Sequence, residues 1–179
     1  CLLKRIFVIL MVLFVLVGVA VLGSSVEALV QDGLVAYWSF DAGDTSDQIG
    51  GREVTVVGAP ETVEGAVGDA LKFAGAESLG FSSEGFPTGN VSVTWSAWVQ
   101  REVSSGSVEY IASYGLWDCC GQAFGVGTRM GDEENTVFMT QWGGGFDAFA
   151  TAISLGEWHH VAAVYDGDLQ NSTVYIDGE

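Results

Sequence analysis

The stretch from Ser154 to Glu179 constrains the fold more than any other part of the chain. It reads S-L-G-E-W-H-H-V-A-A-V-Y-D-G-D-L-Q-N-S-T-V-Y-I-D-G-E. Two β-runs stand out, 158–165 and 172–176, and each is closed by an Asp-Gly pair: Asp166-Gly167 and Asp177-Gly178. Asp-Gly after an alternating run signals a hairpin, because Gly takes φ > 0 without a Cβ clash. On a strand, neighbouring side chains point to opposite faces. Trp158, His160, Ala162 and Val164 therefore share one face, and His159, Val161, Ala163 and Tyr165 the other. Both faces are largely apolar, which predicts a strand between two covered surfaces, as in a sandwich of sheets.

The rest of the chain agrees. Short apolar runs alternate with Gly, Asp, Ser and Asn turns, giving candidate strands at 35–40, 54–57, 70–73, 78–81, 91–100, 110–113, 124–129, 137–142, 147–152, 158–165 and 172–176. This spacing predicts an all-β sandwich or jelly roll. No interdomain linker and no solenoid-period repeat interrupts it. The clearest alternation sets Val91, Val93, Trp95, Ala97 and Val99 toward the core and leaves Trp98 on a polar face; Trp95 and Trp158 are expected in the core. With 49% hydrophobic residues and only 2 Pro, the composition suits a packed domain and not a disordered one.

Four motifs in order resemble one family. Gly156-x-Trp158-His159-His160-Val161-Ala162, running on to Tyr165-Asp166-Gly167 and then to Val174-Tyr175-Ile176-Asp177-Gly178, looks like the laminin-G-like, concanavalin A-like jelly-roll domain. Residues 33–41 (G-L-V-A-Y-W-S-F-D) resemble its opening strand, 69–73 (D-A-L-K-F) its G-x-A-L-x-F strand, and 96–99 (S-A-W-V) its S-A-W-V strand. The likeness covers roughly 33–179. It implies a two-sheet jelly-roll sandwich and a non-catalytic role in carbohydrate or protein recognition at the cell surface, or else a structural or adhesion domain of a larger surface protein. The family commonly carries one or two further strands beyond the last hairpin, so an open sheet edge is expected here. An acidic residue after the opening strand often helps the family hold a structural calcium. Asp41 matches that position and Asp47 a second one, so the likeness implies calcium at Asp41 and Asp47. Read from the residues alone, Asp41, Asp44 and Asp47 are equally a polar loop whose carboxylates cap turns.

The N-terminus has its own signature. Lys4-Arg5 precede an apolar run from Ile6 to Leu22, followed by Gly23-Ser24-Ser25-Val26-Glu27-Ala28. A positive start, an apolar centre and small residues before a cleavage point describe a secretory signal. The run also approaches the length of a membrane-spanning helix. Residues 1–28 are therefore expected to be a signal or anchor helix, and 29–179 the jelly-roll domain, secreted or held at the cell surface. The membrane is involved only through that segment if it stays uncleaved. A formal charge of −17, from 23 acids against 6 bases, argues against a nucleic-acid partner, which requires clustered Lys and Arg.

Few side-chain patterns support catalysis. His159 and His160 are the only histidines, and adjacent strand residues project to opposite faces, so they cannot grip one metal together. No G-x-S-x-G elbow occurs. Glucanases sharing the resembled fold carry Glu-x-Asp-x-x-Glu or Glu-x-Asp-x-Glu on one strand, and no Glu here has Asp two residues later. The expectation is no enzyme. Cys119-Cys120 leave three states open: a strained vicinal bridge, bridges to residues outside this sequence or to another chain, or free thiols. Trp117, Trp142 and Phe146 lie near Gly-rich loops and are candidate ligand-binding residues, since a sugar ring offers a C–H face to an aromatic π-cloud. The candidate partner is a glycan or an extracellular protein. Asn90 and Asn171 head N-x-S/T patterns.

Overall fold

Alternation becomes ladder along most of the chain. The structure, a computed structural model, describes residues 6–10, 33–104, 107–116, 123–129, 135–141 and 147–179. Its strands are β1 (Ile6–Leu10), β2 (Val54–Val57), β3 (Glu61–Glu64), β4 (Asp69–Phe73), β5 (Ser78–Phe81), β6 (Val93–Arg101), β7 (Glu109–Gly115), β8 (Ala123–Arg129), β9 (Thr136–Gln141), β10 (Ala148–Ala152), β11 (Trp158–Asp166) and β12 (Asn171–Ile176). A six-stranded sheet has the order β12-β11-β6-β1-β4-β3, and a four-stranded sheet the order β10-β9-β8-β7. A third, two-stranded ladder, β2-β5, adds to the two sheets expected. All pairings between these strands are antiparallel; an isolated bridge between Arg101 and Leu155 is parallel.

The two larger sheets bury one face of each against the other. Val93, Trp95, Ala97 and Val99 of β6 and Val161, Ala163 and Tyr165 of β11 meet Phe124 and Val126 of β8 and Val137 and Met139 of β9. Each Val, Met or Phe side chain among them stabilises by about 1.5–3 kcal/mol on full burial. The core set of β6 was legible from alternation, except that Val91 lies before the strand and is exposed. The other face of β11 is only half-buried, Trp158 included, so the expectation of two covered faces and of a core Trp158 is corrected. On that face Trp98 packs edge-on against His160, with ring centroids 5.3 Å apart.

Residues 35–40 alternate as a strand would, and Ala36, Trp38 and Phe40 are buried in the core. They nevertheless join no ladder, which corrects the expected opening strand. The following loop takes their backbone groups instead: Gln48 donates its N–H to Tyr37 O, Asp47 Oδ1 accepts from Tyr37 N, and Arg52 donates to Val35 O.

A hairpin precedes β12 and a tight turn follows it, although in the first it is Gln170 (φ 50°), and not Gly167 as the Asp-Gly signal expected, that takes the positive φ. Asp166 and Asn171 pair across the first turn, and the Asp166 carboxylate accepts the N–H groups of Asp168 and Leu169. Gly167 is required there, because a Cβ would run into the Asn90 carbonyl oxygen and stand 3.0 Å from Ser92 N. Asn90 is engaged at the same junction by Tyr165 and by Gly167 O. Asp177 (φ 53°) and Gly178 (φ 91°) form a two-residue turn closed by reciprocal bonds between Ile176 and Glu179.

The N-terminal helix is not what the described part of the apolar run forms. Ile6–Leu10 is a strand paired with β4 on one side and β6 on the other. Ile, Phe and Val favour extended backbone, and two strands flank the position with backbone groups to satisfy. Among the described residues no helix is long and apolar enough to cross a membrane.

Candidate functional site

The four-stranded sheet carries an aromatic row on the face turned away from the core. Phe124, Val126, Val137 and Met139 point inward, so Phe138 points outward by alternation. Register then aligns Tyr110 of β7, Gly127 of β8, Phe138 of β9 and Phe149 of β10 across the sheet. The Tyr110 and Phe138 rings meet edge-to-face at 5.7 Å, and Phe138 and Phe149 lie 6.4 Å apart. Phe138 is buried in the middle of the row, whereas Tyr110 is 41% and Phe149 52% exposed. Gly127 permits this arrangement. A Cβ there would run into the Glu109 carbonyl oxygen and stand 3.1 Å from Tyr110 Cα, where β7 shifts register.

Polar groups flank the row. Asp147 Oδ1 accepts a hydrogen bond from Thr140 Oγ1 at 2.7 Å. Burial first, and then the nearby Asp147 charge, push the Tyr110 phenol above its ordinary value. Tyr110 also borders a cavity of about 430 Å³ lined by Trp38, Phe40, Phe73 and Phe81. The edges of β5 and β7 that frame this cavity pair with no other described strand. Among the described residues the buried Trp38 indole Nε1–H has no hydrogen-bond partner.

Of the residues expected to bind ligand, Trp117, Trp142 and Phe146 lie outside the described residues, as do Cys119 and Cys120. The strands flanking them are informative. Gly115 pairs with Ala123, and Phe124 with Gln141, so β7 and β9 finish at the same end of the four-stranded sheet. Sequence reading did not single out Tyr110, Phe138 or Phe149. They sat inside foreseen strands, and only the register shows that they align.

Asp41 and Asp47 are placed apart in function. Asp41 Oδ1 accepts the Asp69 N–H at 3.0 Å, and Asp69 in turn accepts the Ala42 N–H at 2.8 Å. Asp47 Oδ1 takes the N–H groups of Tyr37, Ile49 and Gly50, and its Oδ2 meets Arg52 Nη1 at 2.6 Å. Burial alone would raise the Asp47 carboxyl, but these bonds hold it below the ordinary value. A calcium ion needs several unengaged oxygens at about 2.3–2.6 Å. A carboxylate surrounded by donors and a guanidinium does not offer them, so Asp47 does not fit calcium. Asp44 is engaged within its own turn by Ser46. Among the described residues no group of three or more His, Cys, Asp or Glu side chains is placed to hold a metal ion.

The two histidines part company as alternation requires. His160 Nε2 hydrogen-bonds Ser96 Oγ at 2.7 Å. His159 Nε2 lies 2.7 Å from Ser154 Oγ, and its Nδ1 lies 2.8 Å from Asp177 Oδ2. Asp177 Oδ1 accepts the His160 N–H, fixing the turn onto β11. The order Ser154–His159–Asp177 is that of a nucleophile relay, brought together by the fold of a single stretch in which the sequence shows no catalytic motif. Glu157 also hydrogen-bonds Ser154 Oγ. The hydroxyl has one proton, so the carboxylate and the imidazole compete for it.

Burial lowers the His160 pKa, and the Asp177 charge only partly restores it. Below the unfolded value of about 6.5 the unfolded chain therefore binds the extra proton first, and stability falls as pH drops. Thermal unfolding from pH 7.5 to 5 should show wild type losing midpoint temperature faster than His160→Gln. Parallel slopes would contradict this.

The family model described as the concanavalin A-like lectin/glucanases superfamily matches residues 73–179, well over half of the chain. No curated protein and no solved structure matches the chain.

Proposed function

The chain belongs to the concanavalin A-like lectin/glucanases superfamily, and on that footing we propose that it is an exported, non-catalytic module that binds carbohydrate on the outer face of its four-stranded sheet. The observation that carries this reading is the row Tyr110–Phe138–Phe149, held rigid at its buried centre and exposed at both ends. A pyranose stacks its C–H face on such rings. Asp147 beside the row accepts hydrogen bonds from sugar hydroxyls. The excess of acidic residues keeps an exported domain soluble.

The test is a glycan array followed by calorimetry on the best ligand. Tyr110→Ala and Phe149→Ala should each weaken binding roughly tenfold, about 1.4 kcal/mol, with the unfolding midpoint nearly unchanged. Trp117→Ala and Trp142→Ala extend the test to the candidate ligand-binding residues read from the sequence. A blank array, or binding indifferent to both ring deletions, would sink the reading. Protein recognition is the second reading, favoured by the outer edge of β7, which can add a strand from a partner. A non-catalytic module should be silent toward β-glucans and p-nitrophenyl esters. Ester cleavage lost in Ser154→Ala would instead make the Ser154–His159–Asp177 relay an active site.

A further inference from the structure

We infer that the sugar held on the aromatic row carries an apolar aglycone, and that the cavity framed by β5 and β7 receives it. The ligand class is a neutral glycoside with an apolar tail. This rests on the carbohydrate reading above and goes beyond it by naming the ligand.

Tyr110 belongs to both places. Its ring meets Phe138 at 5.7 Å at one end of the row, and the same residue lines the cavity of about 430 Å³. That volume is in the range of small-molecule pockets. Trp38 and Phe40, 2% and 3% exposed, also line it, so its inner end reaches the core. Phe73, Leu79 and Phe81 complete an apolar lining. Gly75 and Ser78 line it too and are exposed, as is Tyr110, so its mouth opens to solvent beside the row.

A break in β7 creates this shared corner. Ala112 pairs with Val126 and Tyr114 with Phe124, and all four side chains pack with the core. Unbroken alternation would send Tyr110 the same way. The register with β8 shifts between Tyr110 and Ala112, and Tyr110 instead pairs with Gly127 and joins Phe138 on the outer face. Ile111 and Ala112 remain on the cavity wall. Such shifts re-aim a side chain beside a binding site.

Charge selects the tail. Glu77 and Glu109 line the cavity, and among the described residues no Lys or Arg does. Glu109 is paired with Arg101, and Glu77 accepts the Ala74 and Ala76 N–H groups. An anionic tail such as a fatty acid would therefore meet carboxylates and no counter-charge. A neutral apolar tail gains from leaving water alone.

The probes are the methyl and hexyl β-glycosides of glucose, galactose and mannose, titrated by calorimetry, with hexanol as the tail by itself. At least one hexyl glycoside should bind at least about tenfold more tightly than its methyl counterpart, and more tightly than hexanol. Ser78→Trp, which fills the mouth, should reduce the hexyl-to-methyl ratio below about threefold. If that variant does not fold, Ala112→Leu narrows the cavity from the β7 side and should reduce the same ratio. Phe149→Ala, at the far end of the row, should weaken both forms by the same factor. Equal binding of methyl and hexyl forms would overturn the inference and leave the carbohydrate reading standing. Hexanol binding as tightly as the hexyl glycosides, or a ratio untouched in the cavity variants, would overturn it as well. Silence from every glycoside overturns it too, and a blank glycan array beside that silence removes the carbohydrate reading with it.

Discussion

Arg101→Met should destabilise the domain by about 3–5 kcal/mol, the usual cost of removing one partner from a buried ion pair. Arg101 ends β6 and is 2% exposed. Its Nη2 meets Glu109 Oε2 of β7 at 2.7 Å, and its Nη1 hydrogen-bonds Asn135 in the turn before β9. One guanidinium thus joins the six-stranded sheet to β7 and to the turn that leads into β9. Methionine fills similar space but leaves Glu109 charged, mostly buried and unpaired. The unfolding midpoint should fall on the order of 10 °C for a chain of this length. Arg101→Lys should fall in between, because a point charge cannot serve two partners in a fixed fork. Adding Glu109→Gln to Arg101→Met should recover part of the loss, since the stranded charge then disappears. Arg101 Nε has no partner in its buried position, so the pair is imperfect and the recovery should be substantial. Urea unfolding of the four proteins checks this. A loss below about 1 kcal/mol for Arg101→Met would remove the inter-sheet staple from the account.

Strand existence was legible in the sequence because alternation is a local property. The runs at 54–57 and 78–81 became β2 and β5 without change, and the core face of β6 followed from Val93, Trp95, Ala97 and Val99. β3 was not foreseen. Glu61-Thr62-Val63-Glu64 has almost no apolar signal, as suits an exposed edge strand protected by charge. Residues 35–40 carried the right pattern and still joined no ladder, because pairing depends on a partner that alternation does not name. The aromatic row failed to show for the same reason: Tyr110, Phe138 and Phe149 are far apart in sequence and adjacent only through register. The apolar run at the N-terminus was read by composition, which does not distinguish helix from strand in a segment as short as Ile6–Leu10. Calcium is the instructive case. An aspartate in a Gly-containing loop looks the same whether it awaits an ion or collects N–H groups. What decides is Arg52, five residues past Asp47, whose guanidinium also donates to Val35 O and Glu84 O and lies 4.4 Å from the Phe86 ring centroid.

Asp47→Ala should therefore cost the fold about as much as Arg101→Met, about 3–5 kcal/mol, with no contribution from calcium. The Asp47 side chain is fully buried against Arg52, which is itself 10% exposed. Removing the carboxylate strands that cation and frees three N–H groups, those of Tyr37, Ile49 and Gly50. The loop would then release residues 35–40, and with them Trp38 and Phe40, from the core. Asp47→Asn keeps an acceptor for the N–H groups but loses the charge, so its cost should be about 1.5–3 kcal/mol. The pH dependence follows from direction. The folded carboxyl sits below its ordinary value, so its stabilisation is complete above the unfolded value of about 3.9 and disappears as pH falls through the folded value. Wild type should lose stability more steeply than Asp47→Asn below pH 4, and the two curves should run parallel above pH 5. Adding calcium or a chelator should leave the midpoint of wild type where it was. A chelator-sensitive midpoint that becomes insensitive in Asp47→Asn would show that an ion, and not Arg52, satisfies this carboxylate.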